Sequence, residues 1–163
     1  MDWQIFAFLV VVFLAVVILK ALGRKTDSDF PYRLKDKFYS AAERSFFGVL
    51  TQAAAANYVV FGKVRVADVL TPAKGLNRSN WQTAFNKINS KHFDFVLCNP
   101  DTLAVECVVE LNDRSHTKTK RATRDAFLRG ACQSAGLKLL EVEAKASYSV
   151  VEVRGLINGG RDV

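Results

Sequence analysis

The first hydrophobic pattern along the chain is a block with no period. Trp3 to Leu19 contains one polar side chain, Gln4. With Ala21 and Leu22 beyond a snorkelling Lys20, the block reaches the roughly 20 residues that cross a hydrocarbon core at about 1.5 Å per residue. A buried core helix would carry a polar stripe, and this block has none. A secretory signal peptide would place positive charge before the apolar run and a small-residue cleavage site after it. Here acidic Asp2 precedes the run, and Lys20, Arg24 and Lys25 follow it. The expectation is an uncleaved single-pass anchor over residues 1–22, with Trp3 at the interface and everything from residue 20 onward on the cytoplasmic side. Residues 23–32, GRKTDSDFPY, form a polar tether that ends at a proline. One domain is expected over residues 33–163.

Within that domain the pattern becomes periodic. Phe46, Phe47 and Leu50 share a helical face, predicting a helix over Ser40 to Ala56. Tyr58 to Leu70 alternates, is rich in valine and reads as a strand. A loop with Pro72 and Gly75 leads to a short helix near Trp81 to Ile88. His92 to Cys98 and Thr102 to Leu111 read as strands joined by the turn Asn99-Pro100-Asp101-Thr102, a type I signal. Thr117 to Ala135 is helical and closed by Gly136 as a left-handed cap. Leu137 to Val142 reads as a buried strand and Tyr148 to Ile157 as a last helix. Without the short extra helix the order is α-β-β-β-α-β-α. That is an α/β fold with a small mixed sheet, because the hairpin is antiparallel and the later helix crosses over.

Composition narrows the chemistry. Half of the 163 residues are apolar and 24% are charged, which excludes a disordered chain. Three cysteines without a CxxC pair exclude a disulfide scaffold and argue against a zinc ribbon, and two histidines cannot build a His-rich cage. Neither a Walker A nor a GxGxxG loop occurs, which argues against P-loop and Rossmann enzymes. Cys98, Cys107 and Cys132 as free thiols suit a reducing compartment. The 23 Lys and Arg outnumber the 16 Asp and Glu, giving +7. Arg114, Lys118, Lys120, Arg121, Arg124 and Arg129 face Asp125 alone. Such a run is ordinarily a solvated face, but it could hold a nucleic-acid backbone with steep salt dependence, or touch anionic lipid. Arg124 lies three and four positions before Phe127 and Leu128, at the inward-facing start of its helix. An inward cation there serves as a structural ion pair or as a phosphate clamp.

The acids gather in FDFVLCNPDTLAVECVVELNDRSH, residues Phe93 to His116. Asp94 lies among Phe93, Phe95, Val96 and Leu97, and Glu110 follows Val108 and Val109. Carboxylates in such strands are costly without a partner. Two of them from adjacent strands can hold Mg²⁺, which takes one or two carboxylates and keeps several waters. Such an ion activates a water and neutralises charge on a phosphodiester. Register decides whether they meet. A two-residue Pro100-Asp101 loop pairs Asn99 with Thr102, puts Asp94 opposite Cys107 and leaves Glu110 three positions on, facing the other side. A bulge, or a wider turn centred near Thr102, restores both face and proximity. With a three-residue loop the partner is Glu106. Other polar residues have plainer readings: Glu43 completes a capping box with Ser40, Asp68 forms a strand-end salt bridge, His92 lies on the surface, and His116 caps a helix or lies exposed.

The segment Glu110-Leu111-Asn112-Asp113-Arg114-Ser115-His116 is similar to the E-L-D-G-x-x-H signature of nucleases related to very-short-patch repair endonucleases, a branch of the PD-(D/E)XK superfamily. PYRLKDKFYSAAERSFFGVL, KVRVADVL and KHFDFVLC resemble an uncharacterised bacterial family, domain of unknown function 2726, across residues 31–143. The resemblance implies a restriction-endonuclease-like α-β-β-β-α-β core behind the transmembrane helix, and a Mg²⁺-dependent nuclease acting on DNA or RNA, Mn²⁺ being able to substitute. It implies Asp94 and Glu110 as metal ligands, Glu43 as an added helix acid, Asn112 and His116 as holders of the water, and Arg124 on the phosphate. The superfamily lysine position is Asn112 here, so Lys118, Lys120 or Arg124 would supply the cation. The alternative is a catalytically inactive module that binds nucleic acid or a protein. Either would face the cytoplasm from a bacterial inner membrane, held in the bilayer by residues 3–22.

Overall fold

The computed structural model describes residues 3–22, 30–55, 57–112 and 118–159. It divides into one unit ending at Phe38 and a second beginning at Tyr39. In the first, α1 spans Trp3–Leu22. Its 20 residues make a rod of about 30 Å, long and apolar enough to cross a membrane. None of Trp3–Lys20 is buried.

The second unit is mixed α/β. In chain order it contains α2 (Ala41–Ala54), β1 (Val59–Arg65), α3 (Val66–Val69), α4 (Arg78–Asn89), β2 (His92–Cys98), β3 (Val105–Asn112), α5 (Lys118–Ser134), β4 (Lys138–Glu143) and α6 (Val150–Asn158). Local chemistry sets the helix ends. Ser40 Oγ accepts the Glu43 N–H, and Glu43 Oε2 accepts the Ser40 N–H, the expected capping box. Asn77 caps α4 through the Asn80 N–H. Gly136, at φ +66°, follows α5 as the left-handed cap.

The four strands lie in the order β1-β2-β3-β4, with β1–β2 and β2–β3 antiparallel and β3–β4 parallel. Helices cover both faces. On one, Phe46 and Leu50 of α2 and Val153 and Ile157 of α6 pack with Phe95, Leu97, Cys107 and Val109. On the other, Val66, Ile88 of α4, and Leu128 and Cys132 of α5 pack with Phe93, Val96, Cys98 and Val108. Both clusters are apolar and buried, so hydrophobic burial from two sides holds the sheet.

Two expected strands change. The run Tyr58 to Leu70 does not stay extended: β1 stops at Arg65 and α3 begins. The Val66 N–H is taken by the Lys91 carbonyl at 2.8 Å, and the Leu70 N–H bonds the Val66 carbonyl at 2.8 Å. Arg65 binds both Asp68 and Asn89, which pins the turn. The bend buries Val66 completely. β4 is an edge strand, in which Val142 alone is buried.

Gly62 marks a close approach. A methyl group there would collide with the Tyr39 hydroxyl, and the Tyr39 ring packs on Phe47 and Phe95. Gly62→Ala is expected to cost about 2 kcal/mol, the usual scale for overpacking, read as a lowered urea midpoint at unchanged m-value.

Candidate active site at the end of the central hairpin

The hairpin between β2 and β3 is wider than its turn sequence suggests. Asn99 Oδ1 accepts the N–H groups of Asp101 and Thr102 at 3.0 and 3.1 Å. Leu103 adopts a left-handed φ of +57°, and the Asn99 N–H closes on the Ala104 carbonyl at 2.9 Å. The loop is therefore Pro100–Leu103, not Pro100-Asp101. Cys98 then pairs with Val105 and Leu97 with Cys107, so Glu106 is the extra residue of a bulge. Asn99 Nδ2 donates to Glu106 Oε1 at 3.0 Å, which holds Glu106 at the hairpin end. Loop and bulge together move Glu110 opposite Asp94, one rung beyond Phe95 and Val109.

At that rung carboxylates take over main-chain hydrogen bonds. The Asp94 N–H donates to Glu110 Oε1 at 3.3 Å, and the Leu111 N–H donates to Asp94 Oδ2 at 3.0 Å. On the other flank of β2, Lys63 lies between the rungs Gly62–Phe95 and Val64–Phe93, facing Asp94. Its φ of +54° is left-handed. Face alternation breaks along this row: Phe95 and Val60 join the cluster under α2, whereas Phe93 and Val64 join the cluster under α5.

The row gathers charge from five elements. Lys63 Nζ bridges Glu43 Oε1 of α2 at 2.5 Å and Asp94 Oδ1 at 3.1 Å. Arg124 of α5 donates through Nη2 to Glu110 Oε2 at 3.0 Å and to the His92 carbonyl at 3.4 Å. Three acids thus meet two cations. Asp94 and Glu110 retain only 9% and 5% exposure, so little water screens them.

The electrostatic consequences follow from burial. Burial, then the Asp94 charge, pushes the Glu110 carboxyl up to about 7; Arg124 and the Asp94 N–H pull the other way without cancelling. For Glu43, burial opposes the charge, but Lys63 and the Ser40 amide outweigh it and hold the carboxyl below its ordinary range. Burial also works against the Lys63 ammonium, which Glu43 and Asp94 nevertheless hold above its ordinary range. Burial pushes the Cys107 and Cys132 thiols up to about 11, so neither is a thiolate nucleophile at neutral pH.

Asp94, Glu110, Glu43 and Arg124 therefore lie in one connected row. Asn112 does not join it: its Nδ2 donates to Glu141 Oε1 of β4 at 3.4 Å, and Arg129 holds that carboxylate. His116, Asp113, Arg114 and the side chains of Lys118, Lys120 and Arg121 lie outside the described residues. Glu43 both caps α2 and binds Lys63. Asp68 pairs with Arg65, and the exposed His92 contributes its carbonyl to Arg124. Lys63 is the residue that sequence reasoning missed. Its signal was Gly62 inside a strand pattern, which marks a distortion or a close approach.

Among the described residues, no group of three or more His, Cys, Asp or Glu is placed to hold a metal ion. Each carboxylate oxygen of the Asp94–Glu110 pair has a partner: Lys63 and the Leu111 N–H on Asp94, the Asp94 N–H and Arg124 on Glu110. A family model described as "Protein of unknown function (DUF2726)" matches residues 35–159. No curated protein and no solved structure matches the chain.

Proposed function

The chain belongs to this family of unknown function, and from that premise we propose that it is a membrane-anchored, Mg²⁺-dependent phosphodiesterase of the PD-(D/E)XK type, acting on DNA or RNA. The carrying observation is the rung that sets Asp94 opposite Glu110 with Lys63 at its flank. The order α2-β1-β2-β3-α5-β4 supports a restriction-endonuclease-like core. Asp94 and Glu110 would hold the ion, whose contribution is a Lewis acid and an activated water. Lys63 supplies from β1 the positive charge that the superfamily signature places at Asn112. Arg124, anchored on Glu110 yet 40% exposed, would receive the phosphate. His116 remains the candidate for positioning the water. With α1 as the anchor, the flanking cations put the domain on the cytoplasmic side of a bacterial inner membrane. Digestion of the intact domain by protease added outside spheroplasts would overturn that topology.

The activity test uses the full chain in detergent micelles, with Mg²⁺ or Mn²⁺ and single-stranded, duplex and structured substrates. Cleavage is expected, and Glu110→Gln should lower it by about a hundredfold or more, since metal-borne charge stabilisation is worth several kcal/mol. Absence of cleavage on all substrates would sink the reading.

A second reading is a catalytically inactive relative that binds nucleic acid or a protein. It is favoured by Asn112 at the cation position and by Lys63 and Arg124 already neutralising the pair. Millimolar Mg²⁺ separates the two: a raised Tm that Glu110→Gln erases supports the enzyme.

A further inference from the structure

Between Asp68 and Asp94 the chain has no acidic residue and four basic ones, Lys74, Arg78, Lys87 and Lys91. Lys74, Leu76, Arg78 and Trp81 lie within eight residues of one another, on the loop before α4 and its first turn, and all are exposed. Leu76 is 42% exposed and Trp81 38%. The Trp81 ring stacks on Phe85 at 5.1 Å with the planes 10° apart, so the indole is braced in place. Leu76 also lines a cleft of about 670 Å³ between this loop, α4 and α5, whose walls are mixed: Leu70, Ile88 and Phe127 with Asn80, Thr83 and Lys87.

Single exposed apolar side chains need no explanation. An indole and a leucine set among cations, in a stretch of sequence without acids, form an amphipathic surface. Tryptophan favours the membrane interface, where its ring meets both apolar and polar surroundings, and basic residues are drawn to anionic headgroups. We propose that the loop and first turn of α4 dock on the anionic lipid surface of the bilayer that α1 enters. A nucleic acid would use the cations and the indole but would leave Leu76 facing water, whereas a lipid interface takes all of them. This docking goes beyond the proposed hydrolysis and uses the anchor only to bring the surface within reach.

The chain has two tryptophans, Trp3 and Trp81, so Trp3→Phe makes Trp81 the sole reporter. The full chain carrying that change is reconstituted into phosphatidylcholine vesicles with brominated acyl chains, with or without phosphatidylglycerol. Trp81 emission should be quenched in the anionic vesicles and not in the neutral ones. The quenching should disappear near 1 M salt, where the Debye length is about 3 Å. Lys74→Glu and Arg78→Glu should each weaken it about fivefold, with circular dichroism confirming the fold. Unquenched Trp81 in anionic vesicles at low salt overturns the proposal, and so does equal quenching in neutral ones. An oligonucleotide that shields Trp81 from iodide more strongly than anionic vesicles do would assign the face to nucleic acid instead, and also overturns it. Failure to float with neutral vesicles after a carbonate wash overturns the anchor alone, because anionic vesicles still score Trp81.

Discussion

Replacing Lys63 by methionine is expected to destabilise the domain by about 3 kcal/mol at neutral pH, the lower end for breaking a buried pair. The methionine keeps the stem and removes the charge. Glu43 and Asp94, whose side chains are 17% and 12% exposed, would then face each other across an apolar group. Lys63 itself is 28% exposed, so solvent takes up part of the loss. The sign with pH follows from the shifts. Glu43 is held below its ordinary range, so its contribution is present above the unfolded value and is lost as pH falls through the folded one. Lys63 is held above its ordinary range, so its contribution persists below that range and is lost as pH rises through the folded value. Urea denaturation of wild type, Lys63→Met, Glu43→Gln and the double variant measures the coupling. Lys63→Gly should be less harmful than Lys63→Ala by about 1 kcal/mol, because glycine accepts a left-handed backbone without penalty. A Lys63→Met midpoint equal to that of wild type would mean that the bridge behaves as a surface pair.

The second large effect concerns Glu110. Its carboxyl moves from the ordinary 4.5 to about 7 in the folded chain, a difference corresponding to roughly 3 kcal/mol. The native state binds this proton more tightly than the unfolded chain does, so stability falls as pH climbs from about 4.5 to about 7 and then levels. Glu43 gives the opposite slope, but below that window. Glu110→Gln cannot ionise and should remove the decline. Relative to wild type, the variant gains up to about 3 kcal/mol between pH 5 and pH 8, measured by urea denaturation in EDTA. An identical slope in the two proteins would show that Glu110 is ionised throughout and that burial does not govern it.

The helix-end signals in the sequence were sound, and the strand register was not legible there. Ser40 and Glu43 as a capping box, and Gly136 after α5, are read directly because each depends on a few neighbouring residues. The acids were legible because Asp94 and Glu110 stand in strands too apolar to hold them idle. Their register was not. It turns on Leu103, which adopts a left-handed backbone that sequence normally assigns to glycine or asparagine, and on Glu106, whose bulge has no compositional mark. Lys63 was missed for a related reason. A lysine in a valine-rich strand reads as solvent-facing until the partner strand places an aspartate across from it. The α3 turn escaped because the carbonyl that captures Val66 belongs to Lys91, far along the chain.

The packing of α2 against α6 carries a consequence for biogenesis. These are the earliest and latest helices of the domain, and both cover the same face of the sheet. While the polypeptide is still emerging from the ribosome, β1 to β4 can pair and take up α2, but Phe46 and Leu50 lack the cover of Val153 and Ile157 until α6 is released. If α1 has already entered a bilayer by then, the nascent domain waits beside lipid with an oily face uncovered. A chaperone that shields such surfaces would matter most in that interval, and a nonsense mutation just before α6 would prolong it indefinitely.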